Sequence, residues 1–470
     1  MDKYEEFKEY LAVALERFKE WDKQETIRLI SHLDADGIGA CSIMVKALNT
    51  DNRKYSLSIV QQLTDEVLQE LANEPYNHFI FTDLGSGNLS SIKKRFIGKQ
   101  VFILDHHEPE PLHVNDNIMH INPHLFGIDG GTEISGAGVV YLFAKDLHKG
   151  VEDLAPIALV GAIGDFQEHD GFKRLNDEIL RIAIKKGKIK VIRGLRIFGA
   201  QTRPLHKALE YCTDPYIPSV SGSESGAIQF LYEMGIQAKN GKEWRKLVNL
   251  DDEEIKTLVS GIIMKRLGED KPEDVLGNMY ILLEEEEESP FRDAKEFSTL
   301  LNACGRLDKA SLGIGSCLGD KNTKEKAVAS LAGYKRLIIN AMNWFHEHKG
   351  GDGVIKGDGY MIINAGNNIK ASMIGTISSI LSKSNDIPSG TFILSLADML
   401  NGTYKVSLRV SGRAEVDLRE IVKKISEKVG GEAGGHQAAA GANIPEDAVE
   451  AFVQEAQAVL AKRGMEEIVH

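Results

Sequence analysis

Eight side chains in the first 165 residues are of the types that hold hard or borderline metal cations. They are His32, Asp34 and Asp36 in HLDADG, Asp83 in FTDLGSG, Asp105, His106 and His107 in LDHHEPEP, and Asp165 in GAIGD. Carboxylates and imidazoles without a thiolate suit Mn²⁺ best, with Mg²⁺ or Co²⁺ as alternatives, and disfavour structural zinc. Crowded into one low-dielectric cleft, such carboxylates repel one another strongly. Two divalent cations about 3.5–4 Å apart would remove that repulsion, activate a water and stabilise charge on a phosphoryl group. Singly, each motif has a plainer reading: a DxD caps a helix, and an Asp beside a Gly makes a turn. Jointly, four acidic segment ends in order, one followed by two His, point to a shared site.

The elements that must position these residues alternate. Thr26–His32 reads as a strand and Gly39–Leu48 as a helix; Tyr55–Gln61 reads as a strand and Asp65–Leu71 as a helix. Phe79–Thr82 and Gln100–Leu104 are short buried strands, Gly138–His148 is helical, and the apolar run Leu154–Ile163 is taken as a further buried segment ending on an acid. An amphipathic helix with Tyr4, Phe7, Leu11, Ala14 and Phe18 on one face precedes them. Such βα alternation predicts a parallel sheet, and ligands of open α/β sheets bind outside the carboxyl ends of the strands.

Beyond about residue 175 the character changes. The basic stretch Arg181–Arg196 reads as helical for much of its length, lining a channel or facing solvent. The expected organisation is an N-terminal catalytic part over 1–200, a mainly helical insertion over 201–300, a return to the first domain over 301–350, and a smaller α/β domain over 351–470. The fold class is thus α/β, with a cleft expected between the parallel-sheet domain and the smaller one. The last segment predicts a strand at Tyr360–Asn364, a helix at Ala371–Ser382, a hairpin-like pair at Thr391–Ala397 and Thr403–Val410, and a helix at Asp417–Val429. Arg409, Ser411 and Arg413 alternate there, which puts them on one strand face, as a fork for phosphates or as a solvated sheet face. The small residues around Gly434, Gly435 and His436 permit close backbone approach to a ligand or make a tight turn.

A net charge of −13 excludes a wholly basic nucleic-acid-binding surface, although a local basic channel is still compatible with it. The acidic run Glu284–Glu288 is a solvated segment or a contact for a basic partner. Cysteines at 41, 212, 304 and 317 form no CxxC, which disfavours a zinc ribbon or disulfide framework and fits a reducing, cytoplasmic setting. The start MDKYEEFKEY lacks the apolar core of a signal peptide, and IALVGAIG at 157–164 is too short to span a bilayer, so no membrane association is expected.

The four motifs, in their order and context, resemble those of the DHH superfamily of phosphoesterases, and YKVSLRVSGR (404–413) with GGHQAAAG (434–441) resembles its DHHA1 domain. The inserted region, SGAG (135–138) and NACGR (302–306) are most similar to the archaeal RecJ-like single-strand exonucleases, including the GINS-associated nuclease. The resemblance implies that His32, Asp34 and Asp83 hold one metal, and that Asp36, Asp83, His106 and Asp165 hold a second, with Asp83 bridging. It implies that His107 faces the scissile phosphate and that Asp105 orients an imidazole. Ser135, Gly136, Asn302, Arg306, Arg409, Ser411, Arg413, Gly434, Gly435 and His436 would bind substrate. The implied activity is hydrolysis of single-stranded DNA, 5′→3′ favoured, or of RNA, releasing nucleoside 5′-monophosphates, with GINS as a partner. A phosphodiesterase of small substrates and a Cdc45-like scaffold are the alternatives.

Overall fold

The structure is a computed structural model that describes residues 2–212, 215–269, 271–351, 353–384, 386–412, 416–436 and 439–468. The chain divides into two compact units, Met1–Ser330 and Leu331–His470.

The first unit opens with α1 (Lys3–Lys19), whose Phe7, Leu11 and Phe18 are buried. There follow β1 (Ile27–His32), α2 (Ala35–Thr50), β2 (Tyr55–Val60), α3 (Asp65–Asn73), β3 (His78–Thr82), α4 (Leu89–Arg95), β4 (Gln100–Leu104) and β5 (Ile118–Ile121). The five strands form a parallel sheet in the order β2-β1-β3-β4-β5. The sequence reading anticipated the first four strands; β5, only four residues long, was not read. Register decides what happens at the carboxyl edge. Ser31 pairs with Thr82, Thr82 with Leu104, and Leu104 with Ile121. The next residues, His32, Asp83, Asp105 and Asn122, therefore line up along one edge.

Three helices follow and pack on one another, α5 (Gly136–Ala144), α6 (Ala155–Gly164) and α7 (Arg174–Lys185), with α5 against β3 and β4. The segment before Asp165 is thus a helix and not a strand. Its residues from Ala155 to Ile163 are all buried, so it carries no polar face to betray a helical period, and a short apolar run reads alike as buried strand or buried helix. Pro156 in its first turn suits a helix start. The basic stretch also departs from expectation. Helix α7 stops at Lys185, Gly187 takes φ 69°, and β6 (Ile189–Leu195) runs on as a strand.

The insertion holds α8 (Leu205–Glu210), α9 (Glu224–Glu233), the two-residue strands β7 (Lys239–Asn240) and β8 (Glu243–Trp244), and α10 (Asp252–Lys265). It has its own core, built on Leu209, Phe230, Leu231, Leu258 and Ile262. Strand β9 (Leu276–Leu282) returns to pair antiparallel with β6. Then α11 (Ala294–Arg306), α12 (Ala310–Cys317) and the start of α13 (Lys321–His348) complete the unit. All four cysteines are free and buried. Among the described residues no helix is long and apolar enough to cross a membrane.

The second unit holds β10 (Val354–Gly357), β11 (Tyr360–Asn364), α14 (Ala371–Ser382), β12 (Phe392–Asp398), β13 (Thr403–Val410), α15 (Leu418–Ser426), β14 (Glu432–His436), β15 (Ala439–Pro445) and α16 (Val449–Ile468). Its strands form a six-stranded sheet in the order β10-β11-β12-β13-β15-β14, in which only β11 and β12 run parallel. Val422 and Ile425 of α15 and Phe452 of α16 pack with Leu394, Val406 and Leu408 of the sheet in one core.

Candidate metal centre

The turn after β1 carries the first three polar groups. Asp34 caps α2, its Oδ1 accepting from the Gly37 N–H at 2.9 Å, and Asp36 sits in the first helical turn. His32 Nδ1 lies 2.9 Å from Asp34 Oδ2 and 3.7 Å from Asp83 Oδ2. At the end of β3, Asp83 adopts φ 58° and is 1 % exposed. A left-handed, buried Asp is strained by on the order of 1–3 kcal/mol, a feature that clusters at functional sites.

Asp36 is wholly buried, and the start of α5 holds it: Gly136 N–H donates to Oδ2 at 2.6 Å and Ala137 N–H to Oδ1 at 3.1 Å. These are the unpaired amides of a helix N-terminus, where a carboxylate is favoured. Ser135 caps the same helix through the Gly138 N–H. A Cβ at Gly136 would stand 2.4 Å from Asp83 Oδ1, so the glycine admits that carboxylate. Ser135 and Gly136 are buried and their polar groups are spent on α5 and Asp36. Gly136 positions the Asp36 carboxylate directly, and Ser135 does so through the start of α5.

His106 is oriented by its other nitrogen. A carbonyl only accepts, so Nδ1 donates to Gly130 O at 2.6 Å, and Nε2 is turned toward Asp165 Oδ2 at 3.2 Å, Asp83 Oδ1 at 3.3 Å and Asp36 Oδ2 at 3.7 Å. Gln167 Nε2 donates to the same carbonyl, and Asn176 Nδ2 donates to Gln167 Oε1. Asp105 faces inward and accepts from the N–H groups of Ser86, His106 and His107, with His107 Nδ1 at 2.7 Å from its Oδ1.

The electrostatics ask for positive charge. Burial, then the nearby Asp83 and Asp165, pushes the Asp36 carboxyl well above the usual carboxylate range. Burial would lower His32 and His106, but Asp34 and Asp83 override it for the first, Asp165 and Asp83 for the second, and both imidazoles are raised. Burial would raise Asp105, yet His107, with His106 and the Ser86 N–H, holds it far below the ordinary range. Three overlapping sets have ligand atoms within 4.8 Å of one another: Asp83 with Asp105, His106 and His107; His32 with Asp34 and Asp83; Asp36 with His106 and Asp165. All eight residues singled out in the sequence thus meet in one place.

The remaining predicted residues belong to other elements. Asn302 on α11 accepts from the Ala35 N–H at 3.1 Å, bracing the Asp34–Asp36 turn, and Arg306 is half-buried on the same helix. In the second unit, Arg409 donates to Ser379 Oγ, Ser407 Oγ and the Leu408 carbonyl. Ser411 is 1 % exposed, donates to the Pro388 carbonyl and accepts from the Thr391 N–H, so it closes the start of β12 instead of facing outward. Gly434 and Gly435 are exposed on β14, the latter at φ 124°. Arg413 and the His436 side chain lie outside the described residues.

Sequence reasoning missed a polar layer behind the site. His120 Nε2 lies 2.9 Å from Ser86 Oγ, and Asn122 donates to Ser86 Oγ and to the His107 carbonyl, each at 2.8 Å. The signal was a histidine in the otherwise apolar IMHI of β5, followed by Asn122 at the same edge as Asp83 and Asp105.

Comparison with known proteins bears on this arrangement. Residues 26–162 match the DHH family N-terminal domain, 197–279 the DHH-CID domain and 358–462 the DHHA1 domain. An uncharacterized protein of Methanocaldococcus jannaschii is 32% identical over 453 residues, covering 93% of this chain and 94% of that protein. The chain belongs to the DHH family. This DHH protein has the RecJ-like fold. A crystal structure of exonuclease RecJ bound to manganese superposes with a TM-score of 0.56 at 17% identity, covering 98% of this chain and 96% of that one. RecJ from Thermus thermophilus in complex with Mn²⁺ gives 0.58 at 16%, with 97% of this chain but 55% of that longer one covered. CDC45 from Entamoeba histolytica gives 0.64 at 13%, over 99% of both chains. The DHH family and the RecJ-like architecture make this a phosphoesterase fold.

Proposed function

We propose that this DHH protein is a metal-dependent phosphodiesterase that removes nucleotides from an end of single-stranded DNA or RNA, 5′→3′ favoured, releasing nucleoside 5′-monophosphates. The observation that carries this reading is Asp83: both of its carboxylate oxygens are buried without a hydrogen-bond partner. Each buried polar atom left unpaired costs about 1–3 kcal/mol, and two on one strained carboxylate, facing further acids and imidazoles, are explained by cations there. The donor set fits two ions, Mn²⁺ best. His32, Asp34 and Asp83 would hold one, and Asp36, Asp83, His106 and Asp165 the other. Such a pair supplies an activated water at neutral pH and positive charge opposite the phosphoryl oxygens.

The chain's own groups do the rest. Gly130 and Asp105 fix the two imidazoles in tautomer and direction, the kind of outer support that liganding His requires. His107 is reachable, its side chain 31% exposed, and it presents Nε2 to the scissile phosphate while Asp105 holds Nδ1. Water attacks phosphorus in line, the bond to the 3′-oxygen breaks, and that oxygen leaves with a proton. Residues 1–200 form the catalytic domain, 201–300 the insertion, 301–350 the return to the catalytic domain and the connecting helix, and 351–470, with Arg409, the exposed Gly434 and Gly435, and also Arg413 and His436, the strand-binding domain. GINS is the partner proposed, on the resemblance of the sequence motifs to those of the GINS-associated nucleases.

The test is hydrolysis of end-labelled single strands in Mn²⁺ and in EDTA. Chelation abolishes activity, and Asp83→Asn lowers it by more than about 100-fold, the upper range for disturbing even the outer support of a metal. Full activity of that variant overturns the reading. Dinucleotides cleaved far faster than long strands would instead favour a small-substrate enzyme.

A further inference from the structure

His106 and Asp165 face each other across the candidate centre, yet they come from segments far apart in the chain, one after β4 and one after α6. A single residue ties the two segments together behind them. Gln167, two positions beyond Asp165, is 4 % exposed, and its Nε2 donates to the Gly130 carbonyl at 2.9 Å. That is the carbonyl to which His106 Nδ1 donates at 2.6 Å. A carbonyl oxygen has two lone pairs, and these two donors use both. Gly130 lies so close to His106 that a Cβ on it would stand 1.9 Å from the His106 carbonyl oxygen.

Chemistry fixes which way the Gln167 amide points. Carbonyls only accept, so its NH₂ must face Gly130 O and Ile134 O, the latter at 3.4 Å, and its oxygen takes a hydrogen bond from Asn176 Nδ2 at 2.7 Å. Asn176 is wholly buried on α7, and its own N–H donates to Glu133 O at 3.0 Å. The Gln167 N–H closes the end of α6 by donating to Ala162 O at 2.9 Å, which holds the backbone of Asp165. The other end of the centre has different supports: Asp34 accepts from the Gly37 N–H, and Asn302 accepts from the Ala35 N–H. We propose that Gln167 is a positioning residue for one of the two cations. It holds the Gly130 carbonyl on His106 Nδ1 and keeps Asp165 opposite His106 Nε2, so the Asp36–His106–Asp165 set is shaped before metal enters. It touches neither metal nor substrate, and the His32–Asp34 end does not depend on it. This rests on the two-cation reading above.

The test is Mn²⁺ binding to the metal-stripped full chain, by calorimetry and electron paramagnetic resonance, in wild type, Gln167→Met and Asn176→Ala. Methionine keeps the length of the side chain but offers no N–H donor. Wild type is expected to bind two ions close enough to be spin-coupled. Gln167→Met should weaken one site by about 10–100-fold, the range for the outer partners of a liganding imidazole, and leave the other unchanged. At Mn²⁺ concentrations that fill both wild-type sites, the variant should then show the spectrum of an isolated ion. Asn176→Ala, which frees the Gln167 amide without removing it, should weaken the same site by less. In Gln167→Met, kcat should fall at low Mn²⁺ and recover as Mn²⁺ is raised, with KM for the strand unchanged. A merely structural role lowers the melting temperature of the metal-free chain and leaves both affinities as in wild type. That result, or equal weakening of both sites, overturns the proposal. Should Gln167→Met not fold, Asn176→Ala decides by the same criterion. A wild type that binds no Mn²⁺ refutes the metal centre and this inference with it, whereas one that binds two ions but cleaves no strand refutes the nuclease reading alone.

Discussion

At the scale of single residues, the site is a contest between burial and charge, and His120 shows which wins where no acid is in contact. It is 3 % exposed, and burial pushes its pKa down to about 4 from 6.5 against the opposing pull of Asp105. Between those values the unfolded chain binds more protons than the folded one, so stability rises with pH there and falls as pH drops from 6.5 through about 4. The full swing from this one group is on the order of 3 kcal/mol. Urea midpoints measured from pH 7 to 4 should fall less steeply for His120→Asn than for wild type. Identical slopes would mean that other groups govern acid lability. Asp83 is the opposite case, a residue with backbone strain and two orphaned oxygens, which the proposed cations would offset.

At the scale of elements, small residues decide how closely helices approach the acidic edge. A Cβ on Gly305 of α11 would lie 1.7 Å from the Leu33 carbonyl, in the turn between His32 and Asp34, and one on Gly161 of α6 would lie 2.3 Å from Asp36 Oδ1. Gly305→Ala should therefore destabilise the protein by about 1–3 kcal/mol, as overpacking does. It should also weaken the Mn²⁺-induced rise in melting temperature, since displacing a ligand's support costs about 10–100-fold in metal affinity. Gly87→Ala, where nothing lies within 4 Å, is the control. Equal metal response in both would show that the Leu33 turn tolerates displacement.

For the whole molecule, a charge of −13 sits beside a centre built from acids. Cations would offset part of that repulsion. The second unit and the insertion each carry a core of their own. The proposed GINS contact can be tested at this scale. Purified GINS should co-elute with the full chain, and it should do so equally with Asp83→Asn, since docking needs no catalysis. Separate elution at micromolar concentrations of both would dismiss that partner.

The kinds and order of the acidic groups, the parallel βα region and most of the second unit's elements were legible in the sequence, because each depends on local pattern: alternation, turn residues and apolar runs. Helix α6 was not legible as a helix, for its period is invisible when every face is buried. Nor were the roles of Gly136, Ser411, His120 and Asn122. The bond from Gly136 to Asp36 spans 100 residues. A polar side chain becomes a ligand, a prop or a plug according to which distant segment packs against it, and only the tertiary structure decides that.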